Sequence, residues 1–460
     1  GRGDARVKIA LVQGPYGEAI YETISMPLGL CWISAYLKAK IDDIAIEGFD
    51  LLLRPQLEEE LYRKAAEGEF DIVGIQAHSD MTLLEVVRII NKIKELNPRV
   101  KVFAGGNAAT YLSAVLFRSS DVDIIIKGEG EITFCELVRA MRKGGDIKEI
   151  KGILFREGSE IRENEDRPLI EDLDKLPLPD RSIFDRFPYP QYGVMMSRGC
   201  PYHCSFCSTS AFWKNRVRFR SPDNVMRELV KLKEDYKINK LFILDDSFGI
   251  NKDGCKEFLM ALSRAPFRIE WACVTRADVM DYELLDWCRK AGCVEIHFGL
   301  DSANAKTQRL INKNLDIGIL EQRCCYAQKI GIRTKLSIIL GLPGETEEDI
   351  GRTIDLLHRI RPNEIQIYPL MPYVGTALFD EGRDTGVYLL EQDFSKWKQD
   401  VFQPVVQSEL LTRDDIVHIA EKAVQSFRKE GYKCIPFDME PVKKNEKYIV
   451  KTLFAPLQAL

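Results

Sequence analysis

Short apolar runs alternate with longer amphipathic segments from Val7 to about residue 155. A short apolar run is typical of a buried strand, and apolar residues spaced three and four apart are typical of a helix. The pattern predicts strands at 7–12, 44–49, 70–75, 100–103 and 123–126, and helices at 30–40, 56–66, 83–95, 111–117 and 132–142. Repeated strand and helix units predict a parallel sheet covered on both faces.

A charged and proline-rich stretch, 157–191, interrupts this rhythm, and we expect it to be a connector that runs over the surface. The rhythm then resumes, with predicted strands at 194–196, 240–244, 269–273, 294–298, 333–339 and 364–368, and helices at 222–236, 253–263, 282–291, 317–330 and 347–360. Six units are too few for a closed eight-unit barrel, so a partial, open parallel barrel is predicted.

The predicted fold class is therefore α/β, in four parts. A Rossmann-like parallel sheet domain spans 5–156, a linker 157–191, a partial (β/α)6 barrel 192–385 and a mainly helical C-terminal cap 386–460. Ligands of open parallel sheets bind at the carboxyl ends of the strands. The loops that follow the strands are consequently the candidate binding loops.

Charge and composition exclude several classes of protein. The formal net charge is −5, which argues against a nucleic-acid protein because backbone binding depends on clustered Lys and Arg. The basic run 214–220 is interpreted as a solvated or cofactor-facing loop. Twelve cysteines without a disulfide-like spacing indicate a reduced, cytoplasmic protein. No apolar run approaches the length needed to span a bilayer, and no signal peptide is expected.

Three cysteines in eight residues form the most informative motif, Cys200-Pro201-Tyr202-His203-Cys204-Ser205-Phe206-Cys207. This spacing suits one face of a [4Fe–4S] cube and leaves one iron without a protein ligand. A small molecule with an amine and a carboxylate can chelate that open iron. The alternative is a zinc site with His203 as the fourth ligand, but adjacent side chains converge poorly on one tetrahedral ion.

This loop resembles that of the radical S-adenosylmethionine (SAM) superfamily, which carries the same spacing with an aromatic residue before the third cysteine. The resemblance implies that Cys200, Cys204 and Cys207 bind the cluster and that Phe206 packs near the adenine of SAM. It also implies the partial barrel already predicted from the rhythm of strands and helices.

Polar residues at strand ends are then candidate SAM contacts. Asp245 and Asp246 follow the second barrel strand and are expected to accept hydrogen bonds from the methionyl ammonium. Arg276 is expected to pair with the methionyl carboxylate. Asp301 and Ser302 are candidates for the ribose hydroxyls, although many relatives have Glu-Ser there. The backbone at Gly341 and Pro343 is expected to pass close to the adenine. Each polar residue has a helix-capping role as its alternative.

Two glycine-rich loops follow the fourth and fifth strands of the N-terminal sheet, at 105–110 and 128–133. Glycines let the backbone approach a ligand closely, but the Gly-x-Gly-x-x-Gly dinucleotide pattern is absent from the first turn. Together with Pro27-Leu28-Gly29-Leu30, these loops are similar to the cobalamin-binding domain of one branch of the superfamily. The candidate cobalamin contacts are Leu28, Gly29, His78, Ser79, Gly105, Gly106, Asn107, Thr110, Gly128, Glu129, Gly130 and Thr133.

The histidine motif of other cobalamin domains, Asp-x-His-x-x-Gly, does not occur in this chain. If cobalamin binds, its cobalt is not held by that histidine. His78, after the third strand, is placed to approach the corrin from below, or alternatively to contact solvent or a side chain of the cofactor.

The resemblance implies three cofactors, a [4Fe–4S] cluster, SAM and cobalamin, with no catalytic residue beyond them. The expected reaction is C-methylation of an unactivated carbon: a 5′-deoxyadenosyl radical removes a hydrogen atom, and methylcobalamin gives up its methyl group. The alternative is cyclisation, ring rearrangement or C–C coupling without methylation. A methylthiotransferase is disfavoured because this chain lacks the three further cysteines that would hold that family's second cluster. A non-catalytic sensor is disfavoured because it has no need of an open iron. Expected partners are a small-molecule, lipid or peptide substrate and an electron donor such as flavodoxin or ferredoxin.

Overall fold

The computed structural model describes residues 6–15, 25–186, 188–381, 386–391 and 402–435. Within them no helix is both long and apolar enough to cross a membrane.

The N-terminal part is built on a seven-stranded sheet in the order β2-β1-β3-β4-β5-β6-β7. Its strands are β1 (Val7–Gln13), β2 (Ile44–Asp50), β3 (Ile72–Gln76), β4 (Lys101–Gly105), β5 (Ile124–Ile126), β6 (Ile153–Glu157) and β7 (Glu160–Glu163). Its helices are α1 (Leu28–Lys40), α2 (Leu57–Ala66), α3 (Leu83–Leu96), α4 (Asn107–Tyr111), α5 (Ser113–Ser119) and α6 (Gly130–Lys143). The first five strands are parallel, which confirms the predicted α/β sheet.

The antiparallel strands β6 and β7 were not predicted, and they extend the sheet across the start of the predicted linker. All four residues of β7 are exposed, so this edge strand carries no apolar signal. Its charged side chains suit an edge, where an apolar strand would invite pairing with other chains.

The prediction that 157–191 only runs over the surface is wrong in part. Leu173, Leu176, Ile183 and Phe184 are buried, and the last two belong to the core of the N-terminal sheet. A Cβ added at Gly48 would lie 2.5 Å from the Ile183 carbonyl oxygen. Proline and charge hid these contacts, because single apolar residues in a polar stretch have no periodicity to reveal burial.

The second sheet is an open parallel barrel with the strand order β18-β15-β14-β13-β12-β11-β8. Its strands are β8 (Gly193–Val194), β11 (Lys240–Ile243), β12 (Glu270–Thr275), β13 (Cys293–Asp301), β14 (Arg333–Leu340), β15 (Glu364–Pro369) and β18 (Lys433–Ile435). The first six confirm the predicted barrel. The seventh, β18, comes from the predicted cap and pairs with β15.

Helices cover the barrel and short elements surround its mouth. The helices are α7 (Ser208–Phe212), α8 (Pro222–Tyr236), α9 (Lys252–Arg264), α10 (Tyr282–Lys290), α11 (Ala305–Leu310), α12 (Ile317–Lys329), α13 (Glu347–Ile360), α14 (Ala377–Glu381) and α15 (Arg413–Lys429). Two small antiparallel pairs are β9 (Ser197–Arg198) with β10 (Arg218–Phe219), and β16 (Val387–Leu389) with β17 (Val406–Ser408).

The two sheet domains share one hydrophobic cluster. Leu342, Leu370 and Met371 of the barrel belong to the same buried cluster as the residues that pack beneath α3 and α5. The Val374 N–H donates to the Asp80 carboxylate at 2.9 Å. This packing places the carboxyl ends of the N-terminal strands beside the start of the barrel.

Candidate active site

The three-cysteine loop is held by main-chain contacts. It begins after β9 at Gly199, whose φ is +100° and where a Cβ would lie 1.9 Å from the Arg216 carbonyl oxygen. Only glycine fits such a position. Further along, the Ser205 N–H donates to the Ile311 carbonyl at 2.9 Å and the Cys207 N–H to the Cys204 carbonyl at 3.1 Å.

Two cations lie near the thiols. Burial raises the pKa of Cys200 and of Cys204 to about 11, while nearby Arg276 lowers both and Lys313 lowers that of Cys204. A cluster held by three thiolates carries negative charge, which such cations stabilise. Among the described residues, no group of three or more His, Cys, Asp or Glu side chains is arranged to hold a single metal ion. The three cysteines of the loop and His203 therefore do not form such a group.

Asp245 makes a different contact from the one predicted. Its Oδ1 accepts from the Met196 N–H at 2.6 Å and the Ser197 N–H at 3.1 Å, and its Oδ2 accepts from the Ser197 hydroxyl at 2.7 Å. Burial raises the Asp245 pKa to about 7. Protein donors use both oxygens, so Asp245 positions the strand that leads into the cluster loop, and its contact with the methionyl ammonium stays a prediction.

Asp246 and Arg276 each keep some capacity for a ligand. The Asp246 Oδ2 accepts from the Gly199 N–H at 2.9 Å, and burial raises the Asp246 pKa to about 6. Arg276 donates from Nε and Nη2 to the two oxygens of Asp278 and lies 3.8 Å above the centre of the Tyr202 ring. The Arg276 Nη1 is buried without a partner in the described chain, so one donor remains available.

The predicted ribose and adenine residues meet around a glutamate that was not singled out. The Ser302 hydroxyl donates to the Glu345 Oε1 at 2.9 Å, and the Gly341 and Leu342 N–H groups donate to its Oε2 at 3.2 and 3.3 Å. Burial raises the Glu345 pKa to about 8. The Ser302 hydroxyl therefore joins two loops, and its contact with the ribose stays a prediction.

Asp301 is also engaged by the protein. Its side chain forms an ion pair with Lys313 Nζ, which in addition donates to the Gly299 carbonyl at 2.8 Å. Asp301 and Gly341 have positive φ values of +63° and +89°. Pro343 is buried two residues after Gly341. The chain thus turns sharply at both loops.

A cavity of about 510 Å³ lies between the carboxyl ends of the N-terminal strands and the start of the barrel. Most of the predicted cobalamin contacts line it: Leu28, Gly29, His78, Gly105, Gly106, Asn107, Gly128, Glu129 and Gly130. Its size lies in the range of small-molecule and cofactor sites. The glycine-rich loops therefore come together, as the strand-end rule required.

Several features of this cavity fit a flat cofactor. A Cβ at Gly29 or Gly128 would meet no atom within 4 Å, so space is open in front of both. Gly106, with φ of +103°, has no room for a Cβ because the Ala77 carbonyl oxygen would lie 2.6 Å away. The Gln76 Oε1 is buried without a partner in the described chain. The wall thus offers open space and an unused acceptor.

Three predicted residues do not line the cavity. Thr110 donates to the Gly106 carbonyl at 2.9 Å and accepts from the Gly128 N–H at 3.3 Å, so it joins the two glycine-rich loops. Thr133 is fully buried and accepts from Arg167 Nε at 2.7 Å. Ser79 is bonded through its main chain to the Thr82 hydroxyl. Thr110 and Thr133 thus support the loops, while the Ser79 hydroxyl is buried without a partner in the described chain, and the cobalamin contacts of all three stay predictions.

His78 faces the cavity. Its side chain is exposed there, yet the surrounding protein lowers the pKa of the imidazole below its usual range. It makes no hydrogen bond within the described chain.

Buried ion pairs join the two domains beside the cavity. Glu129 pairs with Arg198 at 2.6 Å and Arg218 at 2.7 Å, and Glu131 pairs with Arg198 at 2.7 Å. The Arg198 guanidinium also lies 4.6 Å from the centre of the Trp32 ring. In the run 214–220, interpreted as a solvated or cofactor-facing loop, Arg218 and Arg220 are buried and so are not solvated. The partners are distant in sequence, so no spacing revealed them.

The barrel supplies a second wall of the cavity, which sequence reasoning missed. It consists of Met195, Arg198, Thr209, Phe212, Trp213, Leu244 and Asp246. Thr209 and Phe212 belong to α7, directly after Cys207. Phe206 is half-buried against the hydrophobic cluster that the two domains share. The cavity is therefore lined by residues on both sides of the cluster loop, Arg198 before it and Thr209 after it.

Comparisons with known proteins agree with this two-part site. The B12 binding domain family matches residues 19–138 and the Radical SAM superfamily matches residues 194–357. An uncharacterized methyltransferase of Pyrococcus horikoshii is 29% identical over 430 residues, covering 92% of each chain. An anaerobic magnesium-protoporphyrin IX monomethyl ester cyclase of Cereibacter sphaeroides is 29% identical over 374 residues, covering 78% of this chain and 60% of the relative.

Among solved structures, the radical SAM methyltransferase TsrM from Kitasatospora setae, with cobalamin and a [4Fe–4S] cluster bound, has a TM-score of 0.72 at 19% identity. The similarity covers 85% of this chain and 78% of that one, and it shows the fold. The matched families imply a [4Fe–4S] cluster, SAM and cobalamin as cofactors. The chain therefore combines a B12 binding domain with a Radical SAM domain, which is the pair of domains that a cobalamin-dependent radical SAM enzyme has.

Proposed function

We propose that this enzyme is a C-methyltransferase that moves a methyl group from SAM, by way of cobalamin, to an unactivated carbon of its substrate. The observation that carries the proposal is the cavity walled on one side by the glycine-rich loops and on the other by residues next to the cluster loop. A methyl carrier in that cavity lies beside the centre where the substrate is activated. The methyltransferase name of the Pyrococcus horikoshii relative supports the same reaction.

When bound, the cluster and SAM would supply a 5′-deoxyadenosyl radical that accepts a hydrogen atom, and cobalamin would supply a transferable methyl group. The protein binds and orients them. Cys200, Cys204 and Cys207 would hold the cluster, and the Arg276 Nη1, which has no partner in the described chain, would donate to the SAM carboxylate. Asp246, which already accepts from the Gly199 N–H, stands between the cluster loop and the cavity.

The remaining residues exclude water and fix the distance between the two cofactors. Trp32, Phe212 and Trp213 form an aromatic part of the cavity wall. The pairs that Arg198 makes with Glu129 and Glu131 fix the barrel wall against the N-terminal loops. A dry site of defined width favours transfer between bound groups over loss of a reactive species to water.

The first half of the reaction can be tested without the substrate. Protein loaded with hydroxocobalamin and a reconstituted cluster is reduced and mixed with SAM that carries a trideuterated methyl group, and extracted cobalamin is analysed by mass spectrometry. We expect trideuteromethyl-cobalamin. Bound cobalamin that acquires no label contradicts methyl transfer. A Gly351→Ala variant, which is changed on α13 away from the cavity, is the control for losses of cofactor during preparation, and we expect it to behave as the native protein does.

A second candidate is cyclisation, ring rearrangement or C–C coupling without methylation, which the similarity to a magnesium-protoporphyrin ester cyclase favours. The same experiment separates the two. Formation of 5′-deoxyadenosine without labelled cobalamin supports the second candidate. Appearance of both S-adenosylhomocysteine and 5′-deoxyadenosine, with label in the cobalamin, supports methylation. In either case we expect a one-electron donor such as flavodoxin or ferredoxin and a small-molecule, lipid or peptide substrate.

A further inference from the structure

The inner face of the open barrel is only half-buried, whereas its outer face is fully packed. Side chains alternate between the two faces of a strand. Along β13, β14 and β15, one set is fully buried and belongs to the core beneath the helices: Ile296, Phe298, Leu336, Ile338, Ile365 and Ile367. The residues between them face the inside of the barrel and are half-buried. A closed barrel fills its interior with side chains, so this open barrel retains space where a ligand can enter.

The two halves of the inner face differ in polarity. On β11 and β12 the half-buried positions are apolar, with Phe242 and Val274 among them. On β13, β14 and β15 the half-buried positions include His297, Lys335, Ser337, Gln366 and Tyr368. A molecule inside the barrel therefore meets an apolar wall on one side and hydrogen-bonding groups on the other.

Two of the polar groups have unused hydrogen-bonding atoms. The His297 Nε2 and the Gln366 Oε1 are buried and form no hydrogen bond among the described residues. Burial, together with nearby Lys335, lowers the His297 pKa to about 3, so its imidazole is neutral. A buried polar atom without a protein partner points to a water or a ligand. An amide oxygen only accepts, so the group that satisfies Gln366 is a donor.

The lysines of this region are already paired. Lys335 forms an ion pair with Glu364, and Lys313 forms one with Asp301. Within the described part of the inner face, these lysines therefore leave no positive charge free for an anion. The polar half suits a neutral group better than a carboxylate or a phosphate.

The polar half also lies close to the cluster loop. A Cβ at Gly299, two residues after His297 on β13, would lie 3.0 Å from Lys313 Nζ. The turn that carries Lys313 contacts the cluster loop directly, because the Asn312 Nδ2 donates to the His203 carbonyl at 3.0 Å. Two residues along a strand span about 6–7 Å. A small molecule bonded to His297 therefore extends toward the cluster loop.

We propose that the substrate is a small molecule with an apolar body and a neutral hydrogen-bond donor, such as an amide or a hydroxyl group, and that His297 and Gln366 bind its polar end inside the barrel. The proposal rests on the proposed function and names its substrate class. Both residues act by binding alone. A hydrocarbon chain is excluded, because it would leave two buried polar atoms unpaired, and a site built to bond a polar group rejects a ligand without one.

Three probes with the same aromatic ring test this substrate class. Phenylacetamide ends in a neutral amide, phenylacetate in an anion and ethylbenzene in a hydrocarbon. Each is titrated against the full protein with its cluster reconstituted and with SAM and cobalamin added, and binding is measured by saturation-transfer NMR. We expect phenylacetamide to bind more tightly than either other probe. Equal or tighter binding of phenylacetate or ethylbenzene, or no binding of phenylacetamide, overturns the proposal.

Variants locate the binding inside the barrel. Gln366→Leu removes the acceptor and adds apolar surface, so we expect it to weaken phenylacetamide by about two- to tenfold, the ordinary effect of one lost hydrogen bond, and to strengthen ethylbenzene. Opposite shifts of two probes do not arise from misfolding. Gln322→Leu makes the same change at an exposed position of α12 and should alter neither affinity.

His297→Phe is the second variant, and we expect it to lower the ratio of phenylacetamide to ethylbenzene affinity in the same direction. A ratio that stays unchanged in either variant overturns the assignment of that residue. The titration is read without turnover, whereas methylation of cobalamin is read without substrate. Loss of probe selectivity with labelled cobalamin therefore rejects only the substrate class, and selective probe binding without labelled cobalamin rejects only the methyl transfer.

Discussion

The loops of the N-terminal sheet and the loops of the barrel were predicted by the same strand-end rule, yet they differ in how the predicted residues are used. On the N-terminal side, glycines such as Gly29 and Gly128 face open cavity space. On the barrel side, the polar residues Asp245, Ser302 and Asp301 are bonded to other parts of the protein.

The difference follows from what each residue type can do. A buried polar side chain must find a partner, and the nearest partner is often the protein itself. A glycine has no side chain to engage, so its position at a strand end reports only how closely something approaches the backbone. Among the glycines of the cavity wall, Gly29 and Gly128 face open space, whereas Gly106 lies against the Ala77 carbonyl oxygen, so a glycine at such a position reports either open space or a close approach of the protein's own backbone.

Removal of the cluster ligands is the strongest test that the two regions are separate sites. We expect replacement of Cys200, Cys204 and Cys207 by Ala to abolish iron binding and SAM cleavage while cobalamin binding persists, because no cysteine lines the cavity. Iron, sulfide and cobalt are measured on one sample. Retained formation of 5′-deoxyadenosine contradicts the assignment of the cluster, and joint loss of cobalt contradicts the separation.

Asp245→Ala tests whether the polar residues of the barrel support the loop or contact the cofactor. The change leaves the Met196 and Ser197 N–H groups and the Ser197 hydroxyl without an acceptor. Unpaired buried donors cost about 1–3 kcal/mol each, so we expect a lower melting temperature and poor iron incorporation. Asp245→Asn keeps an acceptor oxygen and is expected to retain most of both.

The opposite result would restore the prediction made from sequence. If Asp245→Ala keeps its melting temperature and its iron but loses SAM affinity, then the carboxylate contacts the methionyl ammonium. Asp246→Ala is the matched comparison, since Asp246 accepts from the Gly199 N–H and also lines the cavity.

The sequence was sufficient for the parallel strands, for the open barrel and for the cysteine loop, because period and spacing are local signals. It did not reveal β7, whose side chains are all exposed, or the buried role of Arg218, whose partner Glu129 lies 89 residues away. Glu345 lies two residues after Pro343, a predicted adenine contact, but was not itself predicted as a site residue. Its three bonds depend on two loops meeting, which no single stretch of sequence records.

Gly29→Leu tests whether the open space of the N-terminal side belongs to the cofactor. The new side chain would extend into the cavity, where a Cβ meets no atom within 4 Å. We expect cobalamin affinity to fall at least about tenfold, a loss of about 1.4 kcal/mol. Leucine is the better helix former by up to about 1 kcal/mol, so the melting temperature should not fall.

Gly351→Leu provides the matched control. Gly351 is also a helical glycine whose Cβ would meet no atom within 4 Å, but it lies on α13 of the barrel. It should show the same effect on stability without any change in cobalamin absorbance titrations. Unchanged cobalamin binding by Gly29→Leu would mean that the cofactor does not occupy this space.

Glu345→Gln is expected to change the protein least, and it tests whether the buried Glu345 between two loops of the barrel is neutral or ionised. Burial raises the Glu345 pKa from 4.5 to about 8, so the native state holds a proton that the unfolded chain releases between these values. The unfolding free energy contributed by this group therefore falls as pH rises through that window, by at most about 1.4 kcal/mol per pH unit.

Glutamine is neutral throughout and can still bond Ser302 and the two N–H groups. We expect the melting temperature of the variant to match the native value near pH 5 and to exceed it by a few degrees at pH 8. The exposed Glu347 in the first turn of α13 provides the control, as Glu347→Gln. If the variant is instead less stable than the native protein at pH 8, then Glu345 is ionised in the native protein and stabilised by its N–H donors.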